Sequence, residues 1–252
     1  MSEERCLPPL TPDEPFLPAE KPTMYFIGVT THRSSIMRIF PRWAEYLGLG
    51  DVAIRGINLR PHDEPENYRK VVRLIRQDPC SLGALVTTHK IDLLKACRDL
   101  FDRLDPLAEV TGEISCISKD GTEVVGHAKD PITSGLALEA FLPPGHWERT
   151  SAEVLVLGAG GSARAITWYL LQKTHGNNRP ARITITNRTL PRLEEMRRFH
   201  QMIGADLPLE YYHTPLPESA DPLVGRLPPQ SLVINATGLG KDAPGSPITD
   251  RG

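Results

Sequence analysis

Val154-Leu155-Val156-Leu157 runs straight into Gly158-Ala159-Gly160-Gly161-Ser162-Ala163, and this stretch decides how the second half of the chain is read. A continuous apolar run is expected of a central parallel strand buried on both faces. The residues after it fit G-x-G-x-x-A at a strand-to-helix turn. Each position has a mechanical reason. Gly158 permits the tight turn, Gly160 lets the backbone approach a pyrophosphate, and Ala163 lets the helix pack close to the strand. The helix then offers its free N–H groups and positive dipole end to phosphates. A glycine pattern alone also describes a plain strand-to-helix turn; the strand before it and the helix after it favour a dinucleotide loop.

Working outward, a helix is expected over Ser162–Lys173, a strand over Arg182–Thr186 and a helix over Pro191–Ile203. A strand over Leu209–Tyr212, a proline-rich connection and a strand over Ser231–Ala236 complete a doubly wound pattern. At the end of the second strand an acid would hold a ribose 2′-hydroxyl. Asn187-Arg188-Thr189 stands there instead, with Arg192 one turn on. Guanidinium groups suit a 2′-phosphate, so NADP is the expected cofactor; the alternative is an arginine in a solvated loop.

Upstream, Pro143-Pro144-Gly145 breaks the pattern and marks the expected domain boundary. Before it come a strand (Met24–Val29), a helix (Ser35–Leu47) and a strand (Val52–Leu59), then a helix (Pro65–Gln77), a strand (Gly83–Thr87) and a helix (Ile91–Leu100). The Ser35–Leu47 helix rests on Ile36, Ile39, Phe40, Trp43 and Leu47, and Pro41 within it suggests a kink. A hairpin runs from Ile114–Ser118 through Asp120-Gly121 to Val124–Gly126, and a helix covers Pro131–Phe141. The expected organisation is a proline-rich arm (1–22), mobile or surface-hugging, an α/β domain (23–145) and a Rossmann-type domain (146–252).

Composition narrows the function classes. With 252 residues, 40% hydrophobic, 24% charged and a formal net charge of -2, the chain reads as a globular protein. Nucleic acid or an anionic membrane as main partner would demand a basic excess. Cys6, Cys80, Cys97 and Cys116 lie far apart without metal-ligand spacing, so neither a zinc site nor a disulfide framework is expected. The N-terminal stretch lacks the apolar core of a signal peptide, and no apolar run is long enough to span a bilayer. The expectation is a cytoplasmic monomer or homodimer.

Three segments together resemble the nucleotide-binding domain of the shikimate dehydrogenase family: residues 156–164, Asn187 to Arg192, and Ile234-Asn235-Ala236-Thr237-Gly238. Three further segments resemble the family's substrate domain: Ile27-Gly28 with His32-Arg33-Ser34-Ser35, Val86-Thr87-Thr88-His89-Lys90, and Gly126 to Gly135. The resemblance implies an α/β substrate domain followed by an NADP-binding Rossmann domain, in an enzyme reversibly interconverting a ring ketone and a secondary alcohol in aromatic amino acid biosynthesis. It implies Lys90 and Asp130 as the catalytic pair. It further implies Arg33, Ser34, Ser35, Thr87 and Ser115 around the substrate, and Thr237 and Gly238 beside the cofactor. Read alone, Lys90 is a lysine near a helix start and Asp130 a cap before Pro131.

The departures from the family pattern concentrate on the substrate side. Arg33 replaces the first of two serines, Leu85 replaces an asparagine, and the lysine loop lacks its proline and is a residue shorter. Ser115-Cys116 and Ala128-Lys129 each replace Asn-Thr. An anionic hydroxy acid other than shikimate is therefore the expected substrate. The family continues beyond its Asn-Ala-Thr strand, so the sequence ending at Gly252 reads as a fragment or a truncated form. A catalytically silent NADP(H)-binding paralogue is the second hypothesis. A folate-type dehydrogenase is a third, which the 187–189 and 234–238 segments fit poorly.

Overall fold

The computed structural model describes residues 8–240 and 244–252, so Cys6 and the first residues of the expected arm lie outside it. It divides into two units, Met1–Lys129 and Asp130–Gly252.

In the first unit, β1 (Thr23–Gly28) leads through a 3-10 turn at Thr31–Arg33 to α1 (Ile36–Tyr46). Then follow β2 (Ala53–Asn58), α2 (Pro65–Gln77), β3 (Ser81–Val86) and α3 (Lys90–Cys97). Next are β4 (Arg103–Leu104), α4 (Pro106–Thr111), and the hairpin β5 (Cys116–Asp120) and β6 (Glu123–His127). The sheet order is β2-β1-β3-β5-β6-β4. β1 pairs in parallel with β2 and β3, whereas β5 is antiparallel to β3 and β6. Tyr25, Ile27, Ile57, Val71, Val72, Ile75 and Leu93 are fully buried between sheet and helices.

Residues 8–22 lie against this unit. Leu10 N donates to Gly56 O at 2.9 Å and Leu10 O accepts from Asn58 N at 2.8 Å, while Leu10 and Phe16 pack on the core.

In α1 the structure buries only part of the stripe that marks the helix, with Ile36 and Phe40 half-buried. Met37 and Ala44 are buried, while Ile39, Trp43 and Leu47 are exposed, Leu47 to 64%. α1 runs through Pro41 as one helix.

The second unit starts with α5 (Asp130–Phe141) and α6 (His146–Thr150). It continues with β7 (Val154–Leu157), α7 (Gly161–Leu170), β8 (Ile183–Asn187), α8 (Leu190–Met202), β9 (Leu209–His213), α9 (Asp221–Val224) and β10 (Leu232–Asn235). The sheet is β10-β7-β8-β9, parallel throughout. β7 is central and every residue in it is buried. Truncating Leu155 there would cost about 2–5 kcal/mol, the usual range for a cavity of that size.

The division therefore falls earlier than Pro143–Gly145, because α5 packs on α7. A Cβ added at Gly135 would meet the Tyr169 ring at 2.3 Å, so the glycine is what lets the two helices touch. The Pro-Pro-Gly break separates α5 from α6 inside this unit rather than one domain from the next.

Candidate functional site

Parallel strands collect their following loops along one edge, and each unit gathers its candidate residues there. In the second unit that edge carries the loops after β7, β8 and β10. Gly158 adopts φ +114, a region closed to ordinary side chains, and an added Cβ would lie 2.8 Å from Ala236 O. Gly158 N donates to Thr186 O at 2.9 Å, and Ala236 N donates to Leu157 O at 2.8 Å. The turn is thus clamped between its two neighbours.

Gly160 differs. It caps the start of α7 at φ -93, and a Cβ there would meet nothing within 4 Å. The packing does not require a glycine at this point, but a group approaching the backbone would. Ala159 and Ala163 are buried, Gly161 is half-buried, and Ser162 is exposed at the helix start. The first turn of α7 carries no acidic residue that would repel an anion.

The flanking loops are held by their own side chains. Asn187 donates through Nδ2 to Thr189 Oγ1 at 2.9 Å and to Thr189 O at 3.1 Å. Asn235 Oδ1 accepts from Thr237 N at 3.0 Å and from Thr237 Oγ1 at 2.6 Å, and Thr237 Oγ1 in turn accepts from Leu239 N. Asn187, Asn235 and Thr237 shape these loops, and Gly238 is exposed beyond them. Of the two arginines, Arg188 is exposed at the end of β8, whereas half-buried Arg192 lies 2.9 Å from Glu195.

In the first unit the same edge carries the loops after β1, β2 and β3. Asn58 Oδ1 accepts from Thr31 N at 3.0 Å and Thr31 Oγ1 at 2.8 Å, which ties the loop bearing Arg33, Ser34 and Ser35 to β2. Arg33 and Ser35 are exposed and Ser34 half-buried at the approach to α1. Thr87 N donates to Ile27 O at 3.0 Å, and half-buried Lys90 opens α3. Antiparallel pairing brings the start of β5 and the end of β6 to this edge, and with them Ser115 and Lys129.

Two of these side chains are committed elsewhere. Ser115 is buried, and its Oγ accepts from Lys129 N at 2.7 Å while donating to His127 O at 3.4 Å. Lys129 Nζ lies 3.0 Å from Asp105 Oδ2, so its charge is paired within the unit. Asp105 also caps α4 by accepting from Ala108 N at 2.8 Å. Asp130 opens α5, at the head of the second unit.

The sequence reading passes over a cluster beside Lys90. His62 Nδ1 lies 2.7 Å from Asp92 Oδ2, and His62 itself has φ +54. His89 is buried, with Nδ1 3.2 Å from Tyr68 Oη. Burial pushes its pKa down from the ordinary value despite the Gly28 carbonyl and the nearby Asp92 and Asp63. A Tyr and a His this far apart in sequence give no periodic signal; only the capping position of His89 before α3 could have drawn notice.

No family model matches the chain. Over 176 residues it is 31% identical to shikimate dehydrogenase (NADP(+)) of Methanosarcina acetivorans, covering 70% of this chain and 56% of that protein. The chain is a relative of the shikimate dehydrogenases. It spans about half the length of the curated relatives it matches. Shikimate 5-dehydrogenase from Listeria monocytogenes, in complex with shikimate and NAD, superposes at a TM-score of 0.62. The identity is 20%, over 91% of this chain and 73% of that one. 5-Ketofructose reductase of Gluconobacter sp. strain CHM43 superposes at 0.61, also at 20% identity, over 89% of this chain and 72% of that one. At such identities the superpositions establish the fold: an α/β unit followed by a Rossmann-type unit.

Proposed function

We propose that this chain is an NADP-dependent oxidoreductase of the shikimate dehydrogenase type, acting on an anionic cyclic hydroxy or keto acid other than shikimate. The observation that carries the reading is the edge formed by the loops after β10, β7 and β8. It has open space before Gly160, a helix start without an acid, and exposed Arg188 where an acid would otherwise hold a ribose hydroxyl. These features fit a phosphorylated dinucleotide.

NADP(H), when bound, supplies or accepts the hydride. Residues 158–163 would hold the pyrophosphate on backbone N–H groups and Arg188 the 2′-phosphate, while Arg192, one turn away, would join it only by exchanging Glu195 for the phosphate. Gly238 would border the cofactor from the β10 side. Lys90 would pass a proton to the substrate oxygen on reduction and take it on oxidation, a role open to an amine held partly away from water. Asp130 would orient the reacting hydroxyl.

Substrate preference follows from what lines the first unit's edge. Leu85 is half-buried and Ala128 buried, and neither side chain can bond a ring hydroxyl. Ser115 is already engaged. A hydroxyl stranded against Leu85 would cost about 1–3 kcal/mol. Arg33, with Ser34 and Ser35, supplies the cation and hydroxyls for a carboxylate, and Thr87 a further hydroxyl. The range of substrates on this fold is illustrated by the relative that acts as a 5-ketofructose reductase.

The test is calorimetric titration with NADP+ and NAD+. NADP+ should bind more tightly, and Arg188→Asp should remove the difference by weakening NADP+ alone. Equal affinities, untouched by Arg188→Asp, contradict the assignment.

A further inference from the structure

His89 and Tyr68 take no part in the chemistry above, yet they are among the most buried polar side chains of the first unit, each 1% exposed. Tyr68 stands on α2 and His89 directly precedes Lys90. Tyr68 Oη accepts from Asp63 N at 3.1 Å and hydrogen-bonds His89 Nδ1 at 3.2 Å. The rings are tilted at 56° with centroids 5.6 Å apart.

The loop that Tyr68 reaches is itself braced by hydrogen bonds. Asp63 accepts from Arg60 N, Glu64 N and Asn67 Nδ2 at 2.8–2.9 Å. Burial alone would raise its pKa, but these donors hold it below the usual value. The network therefore runs from a braced loop after β2, through a phenol and an imidazole, to the backbone of the lysine loop. His89 O accepts from Leu93 N at 2.8 Å, starting α3, and Lys90 O accepts from Ile114 N at 3.1 Å.

We propose that His89 and Tyr68 form a buried positioning pair that fixes the lysine loop, and through it the direction of the Lys90 amine. The inference rests on reading Lys90 as the proton-transfer group. A displacement of about 1 Å at such a group can cost on the order of 10²-fold in rate.

The experiment combines kinetics with nuclear magnetic resonance of protein whose lysines are reductively ¹³C-methylated; the Lys90 signal is assigned by its loss in Lys90→Arg. Tyr68→Phe and His89→Leu keep volume and remove the hydrogen bond, while His89→Asn keeps a hydrogen-bonding amide near the place of Nδ1. Phe and Leu variants should lower kcat about 10–100-fold, leave KM and NADP+ affinity within a few-fold, and shift or broaden the Lys90 signal. His89→Asn should recover most of the rate and the signal. An unchanged Lys90 signal and kcat in Tyr68→Phe and His89→Leu overturn the pair, even where Lys90→Ala is inactive. A fully active Lys90→Ala instead overturns the reading of Lys90, and the signal alone then judges the pair. Should His89→Leu fail to fold, Tyr68→Phe, which removes a single oxygen, carries the same comparison.

Discussion

Gly158 and Gly160 stand two residues apart in one loop, and the structure assigns them different jobs that substitution to alanine separates. At Gly158 a Cβ would sit 2.8 Å from Ala236 O with the backbone at φ +114. Backbone strain of that kind costs about 1–3 kcal/mol, and the overpacking a similar amount. The sum would lower Tm by on the order of 10 °C. At Gly160 the new Cβ meets nothing within 4 Å, and φ -93 is open to any residue. Losing glycine as a helix cap there costs about 1 kcal/mol or less. The Gly160→Ala protein should therefore melt within a few degrees of wild type. Its methyl group, however, would occupy the space a pyrophosphate needs, so NADP+ affinity should fall at least ~10-fold, or about 1.4 kcal/mol. Differential scanning calorimetry and titration calorimetry on the two variants read both quantities. Unchanged NADP+ affinity in Gly160→Ala would refute the placing of the pyrophosphate on this loop.

Further outcomes are expected elsewhere. Lys90→Ala should lower kcat about 10²–10⁴-fold with cofactor affinity intact, and Asp130→Asn should also impair turnover without unfolding the protein; steady-state kinetics with melting curves check both. Shikimate should be oxidised poorly, and kcat/KM for it in the ~10⁴–10⁸ M⁻¹s⁻¹ range of an enzyme on its own substrate would contradict the reading of Leu85, Ala128 and Ser115. His200 is buried between Tyr211 Oη at 2.7 Å and Thr167 Oγ1 at 2.9 Å, and burial, with nearby Arg164, pushes its pKa down to about 4. The unfolded chain then takes up this proton first as pH falls, so stability held above pH ~6.5 is lost between there and ~4, by at most about 3 kcal/mol. Urea midpoints across that window should slope in the wild type and flatten in His200→Gln.

The parts of this fold legible in sequence are those where neighbouring rules agree. Around residues 154–163 a buried run, a turn that needs glycine and a helix start all point to one element. α2 matches its expected bounds because Pro65 starts it and the apolar spacing carries it to Gln77. The hairpin turn at Asp120-Gly121 was signalled by a glycine at φ +57. α4 was missed although Asp105-Pro106 is a cap-and-first-residue signal, because six residues are too few for a periodic pattern. The partly exposed stripe of α1 shows that periodicity reports a helix without saying which of its apolar residues are buried. Ser115 and Lys129 depend on partners brought near by the pairing of β5 with β6, and the Tyr68–His89 pair on the packing of α2 against α3. The site's scaffold could therefore be read from local sequence, while the working hydrogen bonds around Lys90 could not.

Steady-state reduction of NADP+ by a panel of cyclic hydroxy carboxylic acids, with wild-type and Lys90→Ala protein side by side, tests the central claim most directly. The wild type should turn over at least one non-shikimate acid, and Lys90→Ala should lose about 10²-fold or more of that rate. Tight NADP+ binding with no turnover of any acid in the panel, or equal rates from both proteins, would contradict that claim.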